Sequence, residues 1–326
     1  MDEILFEARD GIGRVTLNRP QALNALTHGM ARGLDAKLIE WAEDDAIERV
    51  VVDAAGKRAF CAGGDIRDLH EVMLRGDTGF IETFYRDEYR LNHRIKTYPK
   101  PYAALIDGVV MGGGVGVSIH GSQRIFTENA LFAMPECGIG FFPDVGATWF
   151  LPRMPGEIGM YLGLTGTRIG AADALYCGVA TDYAPSGDLD AVGADPGPPP
   201  MAEHRDAIDR CFAGSSLEAI IQALEAEGGD WAARTLALLA AKSPTSLKVA
   251  CRQLRMGAGL DFAQAMAVEF RLCQRFCAQA DFREGIRAAV IDKDRDPKWR
   301  PASLADVSEA DIDAYFAPLA GGDLLF

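Results

Sequence analysis

No Cys-x-x-Cys pair occurs in this chain of 326 residues, and none of its seven cysteines has a histidine pair at zinc-ligand spacing. A structural zinc site is therefore not indicated, and no metal is expected. The odd cysteine count also argues against a disulfide framework. No apolar run reaches the roughly 18 residues of a membrane span, so no membrane insertion is expected. Lysine and arginine form no stripe, and the formal net charge is −14, which excludes the ordinary electrostatics of nucleic-acid binding. An anionic small ligand remains compatible with a local cationic pocket. The opening residues read as a strand rather than a secretory leader. With the unpaired cysteines as small core residues, this gives the expectation of a cytoplasmic location.

With 48% apolar and 25% charged residues, the composition is that of a soluble globular protein. Residues 4–9 and 12–18 alternate around Asp10-Gly11, a hairpin signal. Thr27 is placed to cap a helix whose apolar positions are Met30, Leu34, Leu38 and Trp41. RVVVDA (49–54) and residues 102–106 read as buried strands, and 59–65 as a short strand ending in a double glycine. Asp65 is placed to cap a helix through His70. Such strand–helix alternation predicts an α/β architecture. Residues 186–200, rich in Gly, Pro and Asp, carry little periodicity. Beyond them only helices are expected, near 202–212, 217–226, 231–241, 244–255, 262–278 and 282–290. The predicted organisation is a core at 1–185, a loop or linker at 186–202 and a helical region at 203–326.

The stretch 111–146, MGGGVGVSIHGSQRIFTENALFAMPECGIGFFPDVG, carries the chemistry. Both AGGD (62–65) and the glycine triplet 112–114 follow a strand and precede a helix. Glycine lets a backbone come close to a ligand, and helix-opening N–H groups lack intrahelical partners. Two such groups from different segments can converge on one oxygen and stabilise negative charge there. Tight turns and close helix packing would need the same glycines. Phosphate cradling is disfavoured, because no GxxxxGK[ST] occurs and the third position of a GxGxxG match is Val117. Glu136 and Asp144 lie eight residues apart across CGIGFFP, whose Phe141 and Phe142 argue against a solvated loop tip. A loop that folds back brings both acids into one dry pocket, where they shift each other's proton affinity and divide the roles of acid and base. Glu88 falls on the apolar stripe Ile81, Phe84, Leu91, Ile95 of a helix over 80–95, which makes it a site candidate; pairing with Arg90 or Arg94 at the rim is the alternative. No GxSxG elbow accompanies Ser118 or the histidines, and neither His93 nor His120 is assigned to catalysis.

Together, LNRPQALNAL (17–26), FCAGGDI (60–66), PKPYAALIDGVVMGGGVG (99–116) and FAMPECGIGFFPDVG (132–146) resemble the crotonase (enoyl-CoA hydratase/isomerase) superfamily. The last two, with EYRLN (88–92), SPTSLKVACRQL (243–254) and DFREGIRAAVIDKDRDPKWRP (281–301), resemble its 3-hydroxyisobutyryl-CoA hydrolase branch. The resemblance spans nearly the whole chain. It implies a spiral of ββα units forming two roughly perpendicular sheets, followed by a helical C-terminal region. It also implies an acyl-CoA substrate, with CoA part of the substrate and no separate cofactor, and possible homo-oligomers. By motif position the backbone N–H groups of Gly64 and Gly113 form the oxyanion hole, Glu136 and Asp144 are catalytic, and Glu88, Gly113, Glu136 and Asp144 contact the substrate. Hydratases carry a second catalytic Glu where this chain has Gly116, which moves the expectation from hydration to thioester hydrolysis. A dienoyl-CoA isomerase is the nearest enzymatic alternative, and a non-catalytic acyl-CoA-binding protein the remaining one.

Overall fold

A computed structural model describes residues 2–188 and 191–326. The strands are β1 Ile4–Arg9, β2 Ile12–Leu17, β3 Arg49–Ala54, β4 Ala59–Cys61, β5 Tyr102–Ile106, β6 Val109–Met111, β7 Gln123–Phe126, β8 Leu131–Ala133 and β9 Asp182–Tyr183. The helices in chain order are α1 His28–Glu43, α2 Ile66–Arg75, α3 Thr78–Lys96, α4 Gly113–Gly116, α5 Ala147–Phe150, α6 Ile158–Thr165 and α7 Ala171–Cys177. They continue as α8 Arg205–Phe212, α9 Leu217–Glu227, α10 Gly229–Ala240, α11 Pro244–Gly257, α12 Phe262–Ala278, α13 Ala280–Ile286 and α14 Glu309–Phe316. The chain divides into two compact units, each assembled from separate stretches of sequence.

The first unit gathers the described residues of Met1–Asp65, Asp87–Ala133 and Arg168–Ala202. Its larger sheet runs β1-β2-β3-β5-β7-β9 and its smaller sheet β4-β6-β8. Among the described strands, β1 and β2 pair antiparallel and the remaining strand-to-strand ladders are parallel. Successive strands from β3 to β8 alternate between the two sheets, so each turn of the chain adds one strand to each, and the path is a spiral. The Asp10-Gly11 signal is realised as a tight hairpin with both residues left-handed (φ 50° and 76°). Thr27 caps α1, its side chain accepting from the Met30 N–H at 3.2 Å. The expected stripe of Met30, Leu34, Leu38 and Trp41 is buried. Val50 and Val52 are fully buried, which pins the register of β3, since a one-residue slip would exchange its two faces. The regular helix expected over 111–118 is a single turn, α4. Two residues of the expected 186–202 loop, 189 and 190, lie outside the described residues.

The second unit gathers Ile66–Arg86, Met134–Thr167 and Glu203–Phe326. Its centre is aromatic: Phe141 stacks on Phe282 with ring centroids 4.3 Å apart, and Phe142 on Phe276 at 5.3 Å. Phe141 and Phe142 are both buried, as their place between the two acids led one to expect. Gly140 lets this loop approach α13, because a Cβ there would stand 2.3 Å from the Asp281 carbonyl oxygen and its φ is +70°.

Candidate active site

Within the first unit, Gly64 is placed by Leu26. The Leu26 N–H donates to Gly63 O and the Asp65 N–H to Leu26 O, each at 2.9 Å, in a parallel bridge. That bridge uses the groups on either side of Gly64 and leaves the Gly64 N–H out of the pairing. In α4, bonding begins with the N–H groups of Val115 and Gly116, which donate to Gly112 O at 2.8 and 3.1 Å, so the Gly113 N–H precedes the bonded turn. Gly112, with φ 46°, makes the turn from β6 into this helix. The two glycines and Glu88 meet around one point: a Cβ on Gly113 would stand 3.3 Å from the Gly64 nitrogen and 2.9 Å from Glu88 Oε1. Glu88 is 3% exposed. Arg94, one of its expected partners, instead pairs with Asp35 at 2.5 Å, and Arg90 is exposed. Neighbouring backbone N–H donors beside a buried carboxylate can polarise a carbonyl and hold a hydroxyl.

Within the second unit, β8 is followed by Pro135 and a 3₁₀ turn, Glu136–Ile139, and the chain folds back so that both acids are buried (5% exposed each). Glu136 Oε2 has no hydrogen-bond partner. Burial first, and then the nearby Asp144 charge, push the Glu136 carboxyl well above the usual carboxylate range; Lys242 pulls the other way. A buried carboxyl whose proton affinity is raised in this way can serve as a general base or, when ionised, as a dry nucleophile.

Two charged groups beside these acids were not singled out in the sequence. Lys242 follows α10, and its ammonium lies 3.3 Å from where a Gly138 Cβ would stand and 3.6 Å from that of Gly166. Burial depresses its proton affinity, while Cys137 and Glu136 raise it. Glu269 in α12 is wholly buried and accepts from the backbone N–H groups of Gly146 and Thr148. Burial, and after it Asp144, push its carboxyl up to about 8. Its signal resembles that of Glu88: an acid between Met266 and Leu272 on the buried face of an amphipathic helix. Lys242 gave no such signal, because it lies in the short connection between α10 and α11. Of the cations near the glycine motifs, Arg19 is tied to Glu3, Asp65 and the Ala25 carbonyl, whereas Lys57 and Arg58 are exposed.

The sequence model of the enoyl-CoA hydratase/isomerase family matches residues 12–198 and 192–316. The chain is 44% identical to the mitochondrial 3-hydroxyisobutyryl-CoA hydrolase of Xenopus tropicalis, over 99% of this chain and 90% of that protein. It is 40% identical to the human protein of the same name, over 100% and 91%. Among solved structures, an enoyl-CoA hydratase from Rhodobacter sphaeroides superposes with a TM-score of 0.95 at 42% identity, over all of both chains. A carnitinyl-CoA dehydratase from Mycobacterium thermoresistibile gives 0.94 at 40% identity, over 99% and 98%. The cytoplasmic expectation is corrected here, because these curated relatives are named as mitochondrial proteins. Unpaired cysteines, which carried that expectation, suit any reducing compartment and do not distinguish between them. The fold is the crotonase fold of these structures, and the chain belongs to the enoyl-CoA hydratase/isomerase family, where it groups with the proteins named 3-hydroxyisobutyryl-CoA hydrolase.

Proposed function

We propose that this protein hydrolyses the thioester of a short 3-hydroxyacyl-CoA, foremost 3-hydroxyisobutyryl-CoA, to the free hydroxyacid and CoA. The observation that carries the reading is the buried Glu136 carboxyl with an unpartnered oxygen, beside Asp144, in a chain that has Gly116 where hydratases have their second Glu. The thioester oxygen accepts from the N–H groups of Gly64 and Gly113; losing one such donor typically costs about 3 kcal/mol in the transition state. Glu136 either attacks the carbonyl, giving a mixed anhydride and CoA thiolate, or draws a proton from the attacking water. Asp144 holds the substrate's 3-hydroxyl or positions the water, and Glu88 completes the polar lining around the hydroxyacyl group. The reaction asks for no cofactor, since CoA is part of the substrate. The acyl range extends to 3-hydroxypropionyl-CoA, because one missing methyl changes discrimination by only about 1–3 kcal/mol.

The test is thiol release from 3-hydroxyisobutyryl-CoA by wild type and by Glu136→Gln. The expected result is turnover in the wild type and its loss in the variant, with CoA-ester binding retained. A variant of near-normal rate removes Glu136 from the mechanism. Single turnover in ¹⁸O-water tests the anhydride route: label in the Glu136 carboxyl marks an anhydride opened by water at Glu136, whereas label in the hydroxyacid alone is the pattern of direct attack by water or of an anhydride opened at the acyl carbon. Two solved relatives are named as a hydratase and a dehydratase, and this favours a second reading, water addition to or loss from an acyl-CoA. Conversion of an enoyl-CoA without thiol release would establish that reading instead.

A further inference from the structure

Asp144 is followed by two consecutive left-handed residues, Val145 (φ 53°) and Gly146 (φ 93°), before α5 begins. The first is β-branched, and a β-branched side chain at positive φ is held there only when its surroundings dictate it. Two side chains supply that constraint. Glu269 Oε2 accepts from the Gly146 N–H at 2.7 Å and Oε1 from the Thr148 N–H at 2.8 Å. On the other flank, Gln253 Nε2 donates to Pro143 O at 2.6 Å and to Thr148 Oγ1 at 2.7 Å. The carbonyl before Asp144 and the amides after it are thus fixed by α11 and α12, and all of these groups are buried. An amide or hydroxyl could cap so short a helix, and a second acid buried beside Asp144 is held against ionisation by burial and by that neighbour. The use of an acid with both oxygens engaged indicates a demand for geometry beyond that of the fold.

Resting on the hydrolase reading of Asp144, we propose that Glu269 is a positioning residue for thioester hydrolysis: its two-pronged hold on Gly146 and Thr148 fixes the Val145–Gly146 turn and, through it, the direction of the Asp144 carboxylate.

Glu269→Gln keeps the shape but replaces one acceptor with an NH₂ group facing a backbone N–H. The expected result is a fall of about 10- to 100-fold in kcat for thiol release from 3-hydroxyisobutyryl-CoA, the scale of a reacting group displaced by about 1 Å, with KM unchanged within about threefold. If Glu269→Gln does not fold, Glu269→Asp carries the test; one methylene shorter, it keeps the carboxyl group but reaches only one of the two amides, and the same split between kcat and KM is expected. A folded variant with kcat within threefold of wild type overturns the inference alone. So does a rise in KM that accounts for the whole loss. Wild-type protein that releases no thiol overturns the hydrolase reading, and this inference with it.

Discussion

Gly113 and Gly114 are adjacent and equally buried, yet a methyl group on each meets different chemistry. On Gly113 the new Cβ would stand 2.9 Å from Glu88 Oε1, 3.3 Å from the Gly64 nitrogen and 3.4 Å from Leu26 Cδ2. The only severe contact is with the end of a side chain, which yields by a few tenths of an ångström, at the low end of the ~1–3 kcal/mol typical of overpacking. The same methyl fills the volume beside the two N–H groups where the thioester oxygen is proposed to bind. Losing that interaction costs about 3 kcal/mol of transition-state stabilisation, or roughly 10²- to 10³-fold in kcat. On Gly114 the Cβ would stand 2.2 Å from the Cys61 carbonyl oxygen and 2.9 Å from its carbonyl carbon, so backbone of β4 must move. Gly113→Ala is therefore expected to remain folded and lose turnover, and Gly114→Ala to lose stability first. Thiol release at saturating substrate, paired with thermal denaturation of both variants, measures the contrast. Gly113→Ala turning over within threefold of wild type, or melting as early as Gly114→Ala, would refute the placement of the oxyanion donors.

Lys242→Met removes the cation that favours ionised Glu136, so the acid limb of kcat/KM is expected to move to higher pH, with Lys242→Arg close to wild type; an unmoved limb would separate Lys242 from Glu136. Glu269 has its folded-state pKa raised to about 8 from an ordinary carboxyl value, so its contribution to stability is fully present below the ordinary value and is lost as pH rises to about 8. Each pH unit in that window removes about 1.4 kcal/mol at most, and Glu269→Gln should flatten the decline in urea-unfolding free energy between pH 5 and 8; parallel curves for variant and wild type would contradict this. Gly140→Ala places a Cβ 2.3 Å from Asp281 O at φ +70° and should cost about 2–4 kcal/mol in chemical denaturation, with a loss under 1 kcal/mol counting against the close approach described.

Much of this architecture is legible wherever a local rule decides. Asp10-Gly11 sets its hairpin, Thr27 caps its helix, and residues 49–54 and 102–106 form the strands that their apolar runs announce. The six helices expected beyond residue 202 all occur. Local rules fail where long-range packing decides. α6 is buried on every side and so carries no helical period. β6 is three residues long and exists through its pairing with β4 and β8. The turn after α4 departs from a helix as the chain reaches Gly121, where a Cβ would meet the Tyr102 ring at 2.7 Å. The candidate site shows the same division. Acids on apolar stripes announce themselves, and Glu88 was readable for that reason. The hold of Glu269 on residues far earlier in the chain, and the cradle of two glycines around Lys242, exist only in three dimensions.

The seven cysteines, all free and buried, have a bearing on chemoselectivity. Cys61 lies three residues before Gly64, beside a site proposed to receive a thioester. An ionised thiol there would exchange with the substrate and trap the acyl group as an enzyme thioester. Burial, with a smaller push from the Glu88 charge, holds the Cys61 thiol up at about 12, and burial holds Cys137, next to Glu136, at about the same value. Both sulfurs stay protonated at neutral pH. A catalyst that handles thioesters and sets free a thiol thus keeps these two sulfurs silent, so that neither competes with oxygen for the acyl carbon.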